Sequence, residues 1–81
     1  MKINSFSVVL SDDNNTHMLI SGRNYDIHVK NNVYDEIRSG KLEAVFLHYG
    51  RPALMLQVSD VTVGFKSVYV DEIVGINVID S

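Results

Sequence analysis

The sequence predicts a mainly β fold, either a small curled antiparallel sheet or a small barrel of about five or six strands with one short helix. Apolar residues make up 46% of the chain, and many of them are Val and Ile, which favour strands. Apolar and polar residues alternate over several short runs, and clusters of Asp, Asn and Gly separate these runs as turns do. A chain of 81 residues is expected to form a single domain, residues 1–81.

The N-terminal part predicts three strands, over residues 3–10, 16–21 and 24–30. The segment SDDNN at 11–15 lies between the first two strands and is typical of a hairpin turn, because Asp and Asn side chains bond nearby backbone groups. In NYDIHVK, the third predicted strand, the odd-numbered residues are apolar and the even-numbered ones polar. We therefore expect this strand to bury one face and to expose the other.

Residues 31–41, NNVYDEIRSGK, predict the one short helix. Asn32 fits its N-cap, and Asp35 and Glu36 lie in the first turn, where the helix dipole favours negative charge. Gly40 fits the left-handed position that ends many helices. A helix of about two turns is too short to be stable alone, so it would have to pack on the sheet.

Two strands are predicted over residues 42–49 and 53–58, with a loop at 50–52. Both are apolar on their two faces. A strand of this kind requires cover on both sides, and one short helix covers only part of one side. Either the sheet curls on itself or a partner covers the remaining apolar surface.

The C-terminal part predicts strands over residues 61–70 and 75–80, with a bend at Gly64. Residues 71–75 are long enough for a single helical turn, with Ile73 closing the end of the core. Adjacent acids at a turn usually point apart and stay solvated, so we interpret Asp71 and Glu72 as a structural corner. The alternative is a catalytic or metal-binding pair, which requires both carboxylates to converge on one atom.

The ending GFKSVYVDEIVGINVID, residues 64–80, resembles SH3-like and Sm-like small barrels, in which a short helical turn precedes the final strand. The resemblance covers about the last 20 residues on this strand assignment and has no diagnostic motif. It implies an architecture, an SH3/Sm-like barrel, and no function.

Sites for catalysis, cofactors and metals are not predicted. The three His residues lie on three different predicted strands, and the chain has no Cys, so zinc-ligand spacing is missing. A calcium loop beginning at Asp12 would need Gly and Glu where the chain has His17 and Arg23. We expect no enzyme, no cofactor and no metal; if the chain were an enzyme, His28 with Asp26, or the corner at Asp71, would be the place to look.

A protein partner is the preferred functional hypothesis. Tyr and Arg dominate binding hot spots, and the predicted partner-binding residues are Tyr49, Arg51, Phe65, Lys66 and Tyr69. The chain would be a non-catalytic module that occupies a partner surface, as an inhibitor, an immunity or anti-defence protein, or a regulatory accessory protein of phage or bacterial origin. A homodimer through an edge strand or a sheet face is a variant.

The alternative is a small barrel that binds nucleic acid, with Phe65 and Tyr69 stacking on bases and with Lys66, Arg51 and Arg23 contacting phosphates. The net charge of −3 argues against it, because such proteins usually carry a basic patch. No run approaches the roughly 20 apolar residues of a membrane helix, and the N-terminus does not have the pattern of a signal peptide. We therefore expect a cytoplasmic protein without membrane contact.

Overall fold

A computed structural model describes residues 1–2, 4–58 and 64–79. The mainly β prediction is confirmed. The strands and the one 3-10 turn are, in chain order, β1 (Ser7–Ser11), β2 (Thr16–Ile20), β3 (Asn24–Lys30), β4 (Asp35–His48), β5 (Arg51–Val58), β6 (Gly64–Tyr69), the 3-10 turn (Val70–Glu72) and β7 (Ile73–Ile79).

The strands form two antiparallel sheets. β1 and β2 make a hairpin, and the other five strands form a sheet in the order β6-β5-β4-β3-β7. Its two edge strands, β6 and β7, are consecutive in the chain and are joined only by the 3-10 turn. So short a connection brings the two edges of the sheet together, and the sheet must curl to allow it. The short turn before the final strand is the feature from which residues 64–80 were likened to small barrels.

β4 passes from one half of the curled sheet to the other. Its residues 35–41 pair with β3 and its residues 41–48 pair with β5, with a register shift between Leu42 and Ala44. A Cβ atom on Gly40 would lie 2.7 Å from the main-chain oxygen of Gln57. At this position only glycine allows β4 to approach β5 so closely.

The core lies inside the curl. Tyr25, Ile27 and Val29 are buried, so the predicted inner face of β3 is confirmed. The remaining large apolar side chains of the core come from β2, β4, β5 and β6, and they are Leu19, Leu42, Leu54, Leu56 and Val68. Ala53 and Leu54 are neighbours in β5 and both are buried, so this strand is covered on both faces, as its composition requires.

The β1–β2 hairpin packs on the core through Leu19. The main-chain N–H of Ile20 donates to the Tyr25 hydroxyl at 2.8 Å, which fixes the hairpin to β3. The predicted hairpin turn is confirmed, since the Asp12 carboxylate accepts the main-chain N–H groups of Asn14 and Asn15 at 2.9 and 2.7 Å.

The helix predicted over residues 31–41 is wrong: residues 31–34 form a loop and residues 35–41 belong to β4. The side chain of Asn31 accepts the N–H groups of Val33 and Tyr34, at 2.7 and 2.9 Å, and so forms a turn with the same residue type that caps helices. A two-turn helix would bury little apolar surface, whereas the strand pairs with β3 and continues into β5, so tertiary pairing prevails over local propensity.

At the C-terminal end, the predicted helical turn is present, over Val70–Glu72, and β7 begins at Ile73 instead of residue 75. Ile73 packs against the core as expected. Parts of three predicted strands, at Ile3, residues 61–63 and Asp80, lie outside the described residues, and so does the approach to the predicted bend at Gly64.

Candidate functional site

The hairpin between β4 and β5 presents an aromatic surface, which we define as Phe46, His48, Tyr49, Arg51 and Tyr69. Tyr49 and Gly50 both have positive φ, 50° and 76°, as the two central residues of a tight hairpin turn require. The pairs Phe46–Ala53 and Ala53–Tyr69 lie in one row across three strands. The small, buried Ala53 side chain therefore separates two aromatic rings on the same face of the sheet.

His48 is the centre of this surface. Its ring centroid lies 4.5 Å from that of Tyr49, 5.7 Å from that of Tyr69 and 6.3 Å from that of Phe46. A hydrogen bond of 2.5 Å joins His48 Nδ1 to the Tyr69 hydroxyl. The rings thus hold one another in place before any ligand binds.

Arg51 is fixed from two sides. Its guanidinium carbon lies 3.6 Å from the Tyr69 ring centroid, in cation–π geometry. Its Nε and Nη2 donate to the two carboxylate oxygens of Asp71 at 3.1 and 2.7 Å. These bonds hold the pKa of Asp71 below its ordinary value and raise the pKa of Arg51. Asp71 thus neutralises and orients the guanidinium of the aromatic surface.

Glu72 has a different role from its neighbour. The side chain of Asp71 is 56% exposed, as predicted for a solvated corner, but that of Glu72 is only 13% exposed. The Tyr34 hydroxyl donates to one Glu72 oxygen, and Asn31 Nδ2 donates to the other at 2.9 Å. The predicted solvation of Glu72 is therefore wrong, because this carboxylate ties the β3–β4 loop to the 3-10 turn.

The pKa values of Glu72 and Tyr34 shift in opposite directions, away from each other. The hydrogen bond from Tyr34, followed by that from Asn31, lowers the pKa of Glu72, and the same bond from the phenol raises the pKa of Tyr34. Both shifts favour the charged carboxylate and the neutral phenol, which is the arrangement of a structural latch. A pair poised for proton transfer would have pKa values shifted toward each other.

Arg38 joins the first half of β4 to β6, near the contacts of Glu72. It was not singled out from the sequence. Its Nη1 donates to the main-chain oxygen of Ser67 at 2.8 Å, and its guanidinium lies 4.8 Å from the Tyr34 ring centroid. Glu36 accepts from Arg38 Nε and Nη2 at 2.9 and 2.6 Å. The alternation of Glu36 and Arg38 with Ile37 was the available signal, and the helix prediction concealed it.

The structure brings Tyr49, Arg51 and Tyr69 together but not the other two predicted partner-binding residues. Phe65 is 51% exposed and shares a face of β6 with Tyr69, yet the four-residue separation places it about 13 Å away along the strand. Lys66 lies on the opposite face of that strand, since neighbouring side chains alternate.

His28 and Asp26 do not hydrogen-bond each other, because each has another partner. His28 Nε2 bonds Asp35, and the Asp26 carboxylate accepts the Ser39 hydroxyl. In the described parts of the chain, no three His, Asp or Glu side chains come together in a way that could hold a metal ion. Over the same residues, no helix has both the length and the apolar character needed to span a bilayer.

Compared with known proteins, the chain matches no protein-family model, no curated protein and no solved structure.

Proposed function

We propose that this chain is a non-catalytic protein-binding module that acts by occupying a partner surface with its aromatic surface. One observation carries the proposal: the Tyr49 side chain is 91% exposed at the end of the β4–β5 hairpin, beside rings and an arginine that are already fixed. Tyr and Arg are the residue types that most often dominate binding energy, and prior ordering reduces the entropy lost on binding.

The charges on this surface favour a protein partner over nucleic acid. Arg51 is neutralised by Asp71, and the next carboxylate, Glu72, lies 3.6 Å from the same guanidinium. One face of the Tyr69 ring is covered by that guanidinium, so a base could not stack there. A phosphate backbone would meet no free positive charge at this surface, whereas a partner with apolar and polar groups could fit it.

The biological role that we propose is that of a small inhibitor, immunity or anti-defence protein, or regulatory accessory protein, cytoplasmic and of phage or bacterial origin. Each of these roles requires only that a partner surface be covered. None requires a catalytic group.

The proposal is tested by capturing the tagged chain with its partner from lysate of its native host, with and without nuclease, and measuring the affinity of the purified pair. Tyr49→Asn removes the exposed ring and keeps the turn, because Asn tolerates positive φ. We expect a loss of about tenfold or more in affinity, the effect of a hot-spot side chain worth about 1.4 kcal/mol or more.

Phe65→Thr is the matched control, since it removes an exposed aromatic ring from a position on β6 that lies outside the aromatic surface. We expect its affinity to stay within about twofold of the wild type. Equal losses in both variants would contradict the assignment of the surface. Co-purification that disappears with nuclease and weakens steeply with salt would instead support the nucleic-acid alternative.

A further inference from the structure

The second half of β4 has an open edge. His48 and Arg51 flank the two-residue turn and form its hydrogen-bonded pair, so Phe46–Ala53 is the next such pair along the ladder. The intervening residues, Val45 and Leu47, direct their N–H and C=O groups away from β5. In the part of the chain that the structure describes, no main-chain bond outside the strand ladders involves either residue.

The same two residues expose apolar side chains. Leu47 is 73% and Val45 is 44% exposed, and Leu47 stands opposite Pro52 on β5. Beside this edge runs an open groove of about 610 Å³, between residues 42–45 of β4 and the segment 4–6. An extended strand could therefore enter here, bond the free main-chain groups and cover the apolar side chains.

By comparison, the two edge strands of the five-stranded sheet, β6 and β7, are protected against the addition of another strand. Arg38 occupies the main-chain oxygen of Ser67 on β6, and Lys66 adds a charge to that strand. On β7, the pairing with β3 is interrupted by a register shift between His28 and Val29. Charges and bulges are the devices by which proteins block strand addition. The open edge of β4 has neither between Ala44 and His48.

We propose that this edge pairs with the same edge of a second copy of the chain. Antiparallel pairing about a two-fold axis at Phe46 would set Val45 opposite Leu47 of the second copy, so that both residues use their free main-chain groups. The sheet would continue across the dimer as β6-β5-β4-β4-β5-β6. Residues 44–48 carry no charge when His48 is neutral, so the pairing sets no like charges against each other.

The space around the edge suits this occupant. In the proposed register the Tyr49–Gly50 turn of each copy lies level with residues 42–43 of the other, where the groove is. A specific interface buries at least about 1,000 Å² in total, or about 500 Å² from each copy. Leu47, Val45 and Pro52 are exposed on one face of the hairpin and would contribute to this area together with the groove wall, whereas the ring of His48 lies on the other face.

The oligomeric state of the purified chain tests the proposal, by sedimentation equilibrium over a range of concentrations. We expect a mass of twice 9.1 kDa at high concentration, with dissociation on dilution. Leu47→Pro removes an N–H that the ladder with β5 does not use, and proline is tolerated on an edge strand. This variant should remain folded by circular dichroism and be monomeric, whereas Leu47→Ala should still dimerise, only more weakly.

Amide hydrogen exchange gives a second readout that does not depend on a variant. In the dimer, the amides of Val45 and Leu47 should be protected, and this protection should fade as the protein is diluted. A monomer at all concentrations, a dimer that Leu47→Pro leaves intact, or a wild-type dimer in which the amides of Val45 and Leu47 exchange freely would overturn the proposal. An extended segment of another protein that protects these amides while the chain stays monomeric would also overturn it.

This inference is independent of the proposed function, and the two can fail separately. Leu47→Pro should abolish the dimer and leave capture of the partner by the aromatic surface unchanged. Tyr49→Asn should weaken capture of the partner in the Leu47→Pro monomer as well as in the dimer.

Discussion

The adjacent acids Asp71 and Glu72 differ in environment although they share one turn. Asp71 orients Arg51 at the surface, and Glu72 accepts two side-chain hydrogen bonds from the β3–β4 loop. The sequence could identify the corner but not this division, because Tyr34 and Asn31 are 38 and 41 residues away from Glu72. Long-range partners of this kind leave no local pattern.

The latch formed by Glu72 should make stability depend on pH. Its pKa is lowered from about 4.5 in the folded state, so its contribution is fully present above that value and is lost as the pH falls through the lowered folded pKa. We expect Glu72→Gln to reduce the free energy of unfolding at neutral pH. We also expect its acid dependence below about pH 4.5 to be shallower than that of the wild type.

Urea titrations at a series of pH values measure the free energy of unfolding and its dependence on pH. Glu43→Gln makes the same charge change at an exposed position away from Glu72, Tyr34 and Asn31. This variant should retain the acid dependence of the wild type. Parallel stability curves for the wild type and Glu72→Gln would show that the carboxylate contributes nothing specific.

Gly40 should tolerate no side chain. A Cβ atom there would lie 2.7 Å from the main-chain oxygen of Gln57, and main chain cannot move aside as a flexible side chain can. We expect Gly40→Ala to lower the free energy of unfolding by about 1–3 kcal/mol, the usual cost of overpacking. At Gly75 the same Cβ would make an ordinary 3.6 Å contact with His28, so Gly75→Ala should change stability by at most about 0.5 kcal/mol. Equal effects in chemical denaturation would refute the close approach.

At the scale of elements, the β1–β2 hairpin is held to β3 by one buried phenol. Tyr25→Phe would remove the acceptor of the part-buried Ile20 N–H, and the loss of such a hydrogen bond costs about 0.5–1.5 kcal/mol. We expect a loss in this range by chemical denaturation and faster hydrogen exchange at the Ile20 amide. Tyr49→Phe is the matched control, because its ring is exposed, and it should stay within about 0.5 kcal/mol of the wild type.

Some elements leave a clear pattern in the sequence and others do not. β3 was predicted with its bounds and its buried face, because strict alternation reports directly on a half-buried strand. The helix over 31–41 was wrong, since Asn next to acidic residues serves a side-chain turn as well as a helix cap. The exposure of Leu47 also escaped prediction, because apolar residues on both faces do not reveal which half of a long strand leaves the core.

At the scale of the whole molecule, the curl of the sheet creates the candidate site. The short 3-10 turn brings β6 beside the start of β7, and Arg51 and Asp71 meet across that junction. The resemblance of residues 64–80 to small barrels anticipated the turn before the final strand. It could not predict the order of the sheet, because the pairing of β7 with β3 joins residues about 50 positions apart.

The central claim, that a partner protein binds the aromatic surface, is tested most directly by amide hydrogen exchange of the chain alone and in its purified, nuclease-treated complex. Binding there should protect the amides of residues 48–51 and 69–71 and leave those of residues 64–66 unchanged. Protection confined to other parts of the chain, or a complex that forms only when nucleic acid is present, would contradict the claim.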